Sequence, residues 1–372
     1  MKRLLLVGLV VVSACGPGVK SGPAATQAAS PSAPSSSATA ATAGNSPGSL
    51  ACRLPLADFE QSADYSSGTL KAGFVTFPGA AFTLDPNGAF EGPGTNGLVK
   101  SVVKPYLYGG PGVATFTRRF GRWLPAGVAA VSPDSAHYAY AESYNDANGP
   151  RSRIHVVDVA SAADRVVYDH GFYGVIDYEP EGIYLFAIGY ADAPNSGLWR
   201  LDPQARSLTP ITSQDFTVDY VAGGAAWYSD LAPGDQAPPS MTNPMARAFF
   251  KDRLVVIDLK SRIARPWFRR PGKEVRAIGV DGLGHPIVTV GSPTDAGTST
   301  SEELWLVTGP EIGKQIYAGP GSNSPDFVGF GTPLADNHGL WFGTKKGVFL
   351  YTPDAKSQMV STAVGEVAGR CS

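Results

Sequence analysis

The chain has 372 residues, 43% of them apolar, and 30 basic against 32 acidic residues give it a formal charge of −2. Every acidic residue lies beyond position 50, whereas Lys2, Arg3 and Lys20 precede it, so the later part carries 27 basic against 32 acidic residues. That part has no dense basic block, so nucleic acid is not an expected partner, because phosphate binding needs concentrated Lys and Arg.

The first element is a charged start, Lys2-Arg3, followed by an apolar stretch from Leu4 to Val12 and the run Val12-Ser13-Ala14-Cys15. A stretch this short cannot span a bilayer, which needs about 20 apolar residues, but it suits the core of an export signal. Residues 1–15 resemble a bacterial lipoprotein signal. The resemblance implies that Cys15 becomes a lipidated N-terminus, tethering the chain to a bacterial membrane on its extracytoplasmic side, at the cell surface or in the periplasm. An ordinary cleaved signal with a chance cysteine is the alternative.

Residues 16–50 are almost wholly Ala, Ser, Thr, Pro and Gly, a composition that cannot bury enough apolar surface to offset the entropy of ordering. They read as a tether, with a reach of about 30 Å for a flexible chain of this length. Residues 51–372 have no second linker of this kind and are expected to form one large domain. Of the remaining cysteines, Cys52 and Cys371 stand at the two ends of that domain. In an oxidising compartment they are expected to pair, the alternative being two unrelated thiols. Closing so long a loop would contribute about 5 kcal/mol in the chain-entropy account.

The domain repeats weakly at roughly 47 residues, a period that signals propellers and related arrays. The clearest copies are hairpins: Ile154–Val159 with Arg165–Tyr168, Leu198–Pro203 with Leu208–Ile211, and Leu254–Leu259 with Arg265–Phe268. Looser ones are Leu304–Gly309 with Lys314–Tyr317, and Val348–Asp354 with Gln358–Val360. The most degenerate is Val113–Thr117 with Phe120–Leu124. Ahead of each lies a second pair of short strands: Phe74–Leu84, Val128–Tyr140, Val175–Ile188, Val221–Tyr228, Ala277–Val290 and Phe327–Phe342. Four strands per unit, with Gly, Pro and Asp between them, is the make-up of a propeller blade. The expectation is an all-β, six-bladed β-propeller, and the long stretch from Cys52 to Trp123 leaves room for a seventh blade. The six tryptophans, at equivalent strands of their units, are expected to fill the space between blades.

The segment Val131-Ser132-Pro133-Asp134-Ser135-Ala136-His137-Tyr138-Ala139-Tyr140 and the Asp158 hairpin resemble the repeats of WD40-like propellers of the TolB type. The step becomes Glu179-Pro180-Glu181-Gly182 and Asp281-Gly282-Leu283-Gly284 in later units, and the Trp-Asp dipeptide of true WD40 repeats is absent. With its signal, the chain resembles uncharacterised bacterial propeller lipoproteins. The resemblance bears on fold rather than activity, since propellers host hydrolases, lyases and binding platforms alike.

Several strings spell motifs without their context. Gly44–Gly48 matches the nucleophile elbow but lies in the tether, and Gly92–Gly97 matches the dinucleotide fingerprint with no helix after it. Tyr144–Gly149 lacks the first acid and the distal glutamate of a calcium loop. The five histidines have no zinc spacing, and no catalytic constellation, metal or cofactor is implied. Propeller ligands usually sit at the channel mouth, where innermost strands begin. The corresponding residues are Tyr173, Asp177, Asp219, Tyr220, Arg276 and Asp326, a polar and aromatic set suited to a sugar, peptide or other small polar ligand; the alternative is that they satisfy backbone groups and water in an unused channel. The favoured function is a monomeric, membrane-anchored binding module for such a ligand or for an envelope protein. The alternatives are a propeller glycosidase or lyase using Asp177, Asp219 and Asp326, and a structural part of a Tol-like envelope complex.

Overall fold

The computed structural model describes residues 50–61, 68–88, 114–147, 149–187, 197–212, 218–354 and 356–372. Cys15, the export signal, most of the tether and the glycine strings at 44–48 and 92–97 lie outside the described residues. Leu50, assigned to the tether by composition, is buried beside Cys52 and Cys371, so the packed region begins there.

Strands follow one another almost without interruption. They are β1 (Arg53–Gln61), β2 (Gly68–Thr76), β3 (Ala81–Leu84), β4 (Thr115–Thr117), β5 (Arg122–Leu124), β6 (His137–Asp146), β7 (Gly149–Asp158) and β8 (Asp164–Tyr168). Next come β9 (Tyr173–Glu179), β10 (Gly182–Ala187), β11 (Leu198–Asp202), β12 (Ser207–Thr212), β13 (Val218–Ala222) and β14 (Ala225–Asp230). A short helix, α1 (Pro244–Phe249), precedes β15 (Arg253–Asp258), β16 (Ala264–Arg269), β17 (Glu274–Val280), β18 (Pro286–Pro293), β19 (Ser299–Gly309) and β20 (Ile312–Pro320). The chain ends with β21 (Leu334–Asp336), β22 (Gly339–Gly343), β23 (Val348–Tyr351), β24 (Gln358–Ser361) and β25 (Glu366–Val367).

Four sheets are consecutive antiparallel meanders of four strands: β9–β12, β13–β16, β17–β20 and β21–β24. A fifth runs β25-β1-β2-β3, so the last strand supplies the missing edge of the sheet that the first three began. β6, β7 and β8 form a sixth, whose inner edge carries only the Val131–Tyr138 bridge. β4 and β5 pair as a hairpin alone.

Local chemistry explains the tight turns. Asp158 and Asp258 each close their strand by accepting the amide of the residue three further on, Ser161 and Ser261, and Ala162 and Arg262 then take a left-handed conformation. Asp202 caps the turn to β12 in the same way through the amides of Gln204 and Ala205. These are four-residue hairpin loops whose last residue is left-handed. The Ser-Pro-Asp step uses the same device, since Asp134 accepts the Ala136 amide and the Ser132 hydroxyl.

The packing shows how the sheets are arranged. One apolar cluster is shared by β6–β8 and β9–β11, the next by β9–β11 and β13–β15, then by β13–β16 and β17–β19, and then by β17–β20 and β21–β23. A fifth joins β22–β23 to β1, β2 and β25, and a sixth joins β1 and β2 to β4 and β5. Leu124 of β5 then packs with the β6–β8 cluster where the series began. Each sheet is thus covered on both faces by its neighbours, and the series returns on itself. The fold is a β-propeller.

Among the described residues it has six sheets of three or four strands, with the β4–β5 hairpin as a narrow wedge between the first and the second. Phe74–Leu84 and Val113–Leu124, read from sequence as one unit, belong to different members of the ring. β1 was missed because Pro55 and its charged residues obscure the alternation, and β25 because it has only two residues. Tryptophans pack between sheets: Phe268 of β16 and Trp305 of β19 lie 5.8 Å apart and Phe77 and Trp341 of β22 5.7 Å, while Trp227 and Trp267, 5.5 Å apart within one sheet, pack together against β17 and β18.

The seam is stitched several times. Leu56 pairs with Val367 and Ala57 with Glu366, and the backbones of Arg53 and Ser372 exchange hydrogen bonds at 2.7 and 3.0 Å. A disulfide joins Cys52 to Cys371 across 319 residues of sequence. It locks the one joint of the ring that chain connectivity leaves open.

Candidate functional site

The innermost strands that wall the channel include β9, β13 and β17, and each carries a one-residue bulge, at Ile176, Asp219 and Ile278. Bulges re-aim side chains and suspend pairing. At Asp219 the consequence is a carboxylate freed from the strand alternation and held by other groups. The Ser229 hydroxyl donates to it at 2.5 Å, and the Nε of Arg276, on the neighbouring inner strand, lies 3.7 Å away. Its side chain is 11% exposed whereas that of Arg276 is 67% exposed, so the pair joins a fixed, half-sheltered acceptor to a solvent-reaching donor. Burial pushes the Asp219 carboxyl up to about 6 despite the hydrogen bond from Ser229 and the charges of Arg276 and Lys251.

A second polar group sits on the adjoining strands. Asp177 on β9 is 7% exposed, and burial, reinforced by the charge of Glu179 and a hydrogen bond with it, pushes its carboxyl up to about 9. At neutral pH Asp177 is therefore protonated. Its Oδ2 has no hydrogen-bond partner. Glu179 accepts the Gly223 amide at 2.9 Å, from the turn after β13. Tyr220 of β13 is raised by burial and by the negative charges of Asp177 and Glu179. It also lines a narrow central cavity whose walls include Ala114, Val128, Pro333, Leu334 and Glu366. Glu366 is raised by burial and then by the nearby Asp58.

The six residues expected at the mouth thus divide. Asp219 stands beside Arg276, and Asp177 beside Tyr220. Tyr173 is a correction: its ring packs against Tyr168 and Trp199 in the core between sheets, because it opens β9 with its side chain turned toward the neighbouring blade. Asp326 lies exposed in the loop before β21, where its amide is donated to the Ser324 hydroxyl. Ser229, Glu179 and Glu366 were missed. Glu179 was visible only as a degenerate turn residue, and Glu366 gave no signal because the strand that positions it is two residues long.

The histidines are dispersed, and four of the five lie beside a carboxylate. His285 Nδ1 is 3.0 Å from Asp281, His338 Nδ1 3.4 Å from Asp336, and His137 Nε2 3.7 Å from Asp158. His155 stacks on Tyr140 with centroids 4.5 Å apart, its Nδ1 3.0 Å from Asp164. Among the described residues no three His, Cys, Asp or Glu side chains gather as metal ligands would.

No protein-family model matches the chain, and no curated protein matches it. Among solved structures it is similar to the tricorn protease, at 10% identity and a TM-score of 0.42 over 85% of this chain, though it spans only 26% of that one. It is also similar to TolB from Acinetobacter baumannii, at 10% identity and a TM-score of 0.39 over 82% of this chain and 81% of that one. A third is an auxiliary nutrient binding protein from Bacteroides thetaiotaomicron, at 12% identity and a TM-score of 0.38 over 79% and 71%. Likeness at this level assigns no activity, and the ring described above stands on its own strand pairing.

Proposed function

We propose that the chain is a binding protein, held outside the cytoplasm by lipid on Cys15, whose channel takes a small polar ligand at the Asp219–Arg276 pair. One observation carries the reading: a bulge lifts the Asp219 carboxylate out of the strand alternation, and Ser229 holds it beside an exposed guanidinium. A sugar hydroxyl or a zwitterionic amino acid would engage both groups at once, donating to the carboxylate and accepting from Arg276. Bound ligand would replace the water that Arg276 now meets. Ordering cost is small, since Asp219 is already fixed in place.

The test is a panel of sugars, amino acids and short peptides read by thermal shift on the full chain. A ligand at 100 times its dissociation constant stabilises by about 2.7 kcal/mol. Asp219→Asn and Arg276→Ala should each abolish the shift. A silent panel, or a ligand that binds both variants like the wild type, would sink the proposal. Tethering is checked separately: Cys15→Ser should move the protein from the detergent phase to the aqueous phase, and its persistence in detergent would remove the anchor.

An acid–base enzyme is the second reading, and it rests on the unlike carboxyls of Asp177, near 9, and Asp219, near 6. Such divergence marks acid and base roles. Against it, the two carboxyls answer to separate partners, Asp177 to Glu179 and Asp219 to Ser229 and Arg276.

A further inference from the structure

Beside the central cavity, and sharing Val128 and Leu334 with it, lies an open cleft of about 340 Å³ between the β4–β5 hairpin, the Ser132–Ser135 turn and the residues after β25. Three guanidinium side chains stand on it, Arg118, Arg119 and Arg370, and no acidic residue is among the described residues that line it. Arg119 donates to the Asp134 carbonyl at 2.6 Å and pairs with its carboxylate at 3.7 Å, which leaves Arg118 and Arg370 as the uncompensated cations. The guanidinium groups of Arg118 and Arg370 have no hydrogen-bond or ion-pair partner among the described residues. Cations brought together in a domain of net negative charge repel one another, and an anion placed among them relieves that repulsion through charge-assisted hydrogen bonds.

The remaining wall is apolar, with Phe116 and Pro133 able to cover a carbon skeleton. A cleft of this size lies within the range of small-molecule sites.

We propose that this cleft binds an organic oxyanion, a carboxylate or a phosphate. Its charged oxygens sit on Arg118 and Arg370, and its carbon body lies against Phe116 and Pro133. The site is distinct from the Asp219–Arg276 mouth and does not depend on it.

The test is calorimetric titration of the full chain in detergent with benzoate, phenyl phosphate and inorganic phosphate. Saturable binding of benzoate or phenyl phosphate is expected, weakening with salt, and the tighter of the two assigns the head group. The double variant R118A/R370A should bind about tenfold more weakly or worse, given the strength of hydrogen bonds between ions. Asp219→Asn should leave the binding unchanged. The proposal is overturned if neither organic anion saturates, or if R118A/R370A binds like the wild type. Inorganic phosphate binding as tightly as phenyl phosphate overturns the contact with a carbon body.

Discussion

Replacing Asp177 with Asn should stabilise the protein, and increasingly so as pH rises. In the folded chain the carboxyl holds its proton up to about pH 9, whereas an unfolded aspartate releases it near 3.8. Between those values the folded state binds one proton more than the unfolded state, so stability falls as pH rises, by about 1.4 kcal/mol per pH unit. The contribution is fully present below pH 3.8 and is lost as pH climbs toward the folded value. At pH 7 the chain has therefore lost about 4 kcal/mol through this group alone, the cost of keeping an acid neutral where its unfolded counterpart is charged. Asn has the shape of the protonated acid and no proton to lose, and its amide retains a donor for Glu179. The assay is urea denaturation of both chains from pH 5 to pH 8. Titrations common to both, such as that of Asp219, cancel in the difference, which should grow by about 4 kcal/mol across this range. A difference that stays flat, or an Asn variant less stable than the wild type at pH 8, would show that Asp177 is ionised and refute the argument from burial.

Reduction of the Cys52–Cys371 disulfide, or the double Cys→Ser variant, should lower stability by up to about 5 kcal/mol and loosen the seam first. Hydrogen exchange at β1 and β25 would show the opening, and unchanged protection there would refute it. Gly343→Ala should cost about 1–3 kcal/mol, because a Cβ at this position would run into the Gly365 carbonyl where β22 meets the last strand. A variant that melts like the wild type would place the two backbones further apart than described.

Much of the ring was legible because its outer hairpins repeat a local chemistry. The apolar runs ending in Asp158, Asp202 and Asp258 each specify a strand and the turn that follows, through residues at most four apart. The inner edges were harder to read. β25 holds two residues and β21 three, too few for any alternation to register, and the innermost position of the β6–β8 sheet is a single bridge at Val131. α1 escaped notice for the same reason, since a six-residue helix capped by Asn243 shows no periodicity. At the site, Asp219 and Arg276 could be named as inner-strand residues. That a bulge would carry Asp219 to Ser229 is a matter of register between two strands, which neither strand encodes alone.

Alternating apolar residues, Asp-capped turns and a cysteine at each end of the domain were enough to fix the strand hairpins and the expected bridge, because these depend on neighbours along the chain or on chemistry with one available partner. Which acids become buried, which tyrosine joins the wall and which arginines share a cleft were decided only when sheets distant in sequence closed into a ring. Tyr173 and Tyr220 show the difference. Both lie on inner strands, yet one packs between blades and the other lines the cavity, because desolvation and packing depend on the neighbouring blade and not on the residue's own segment.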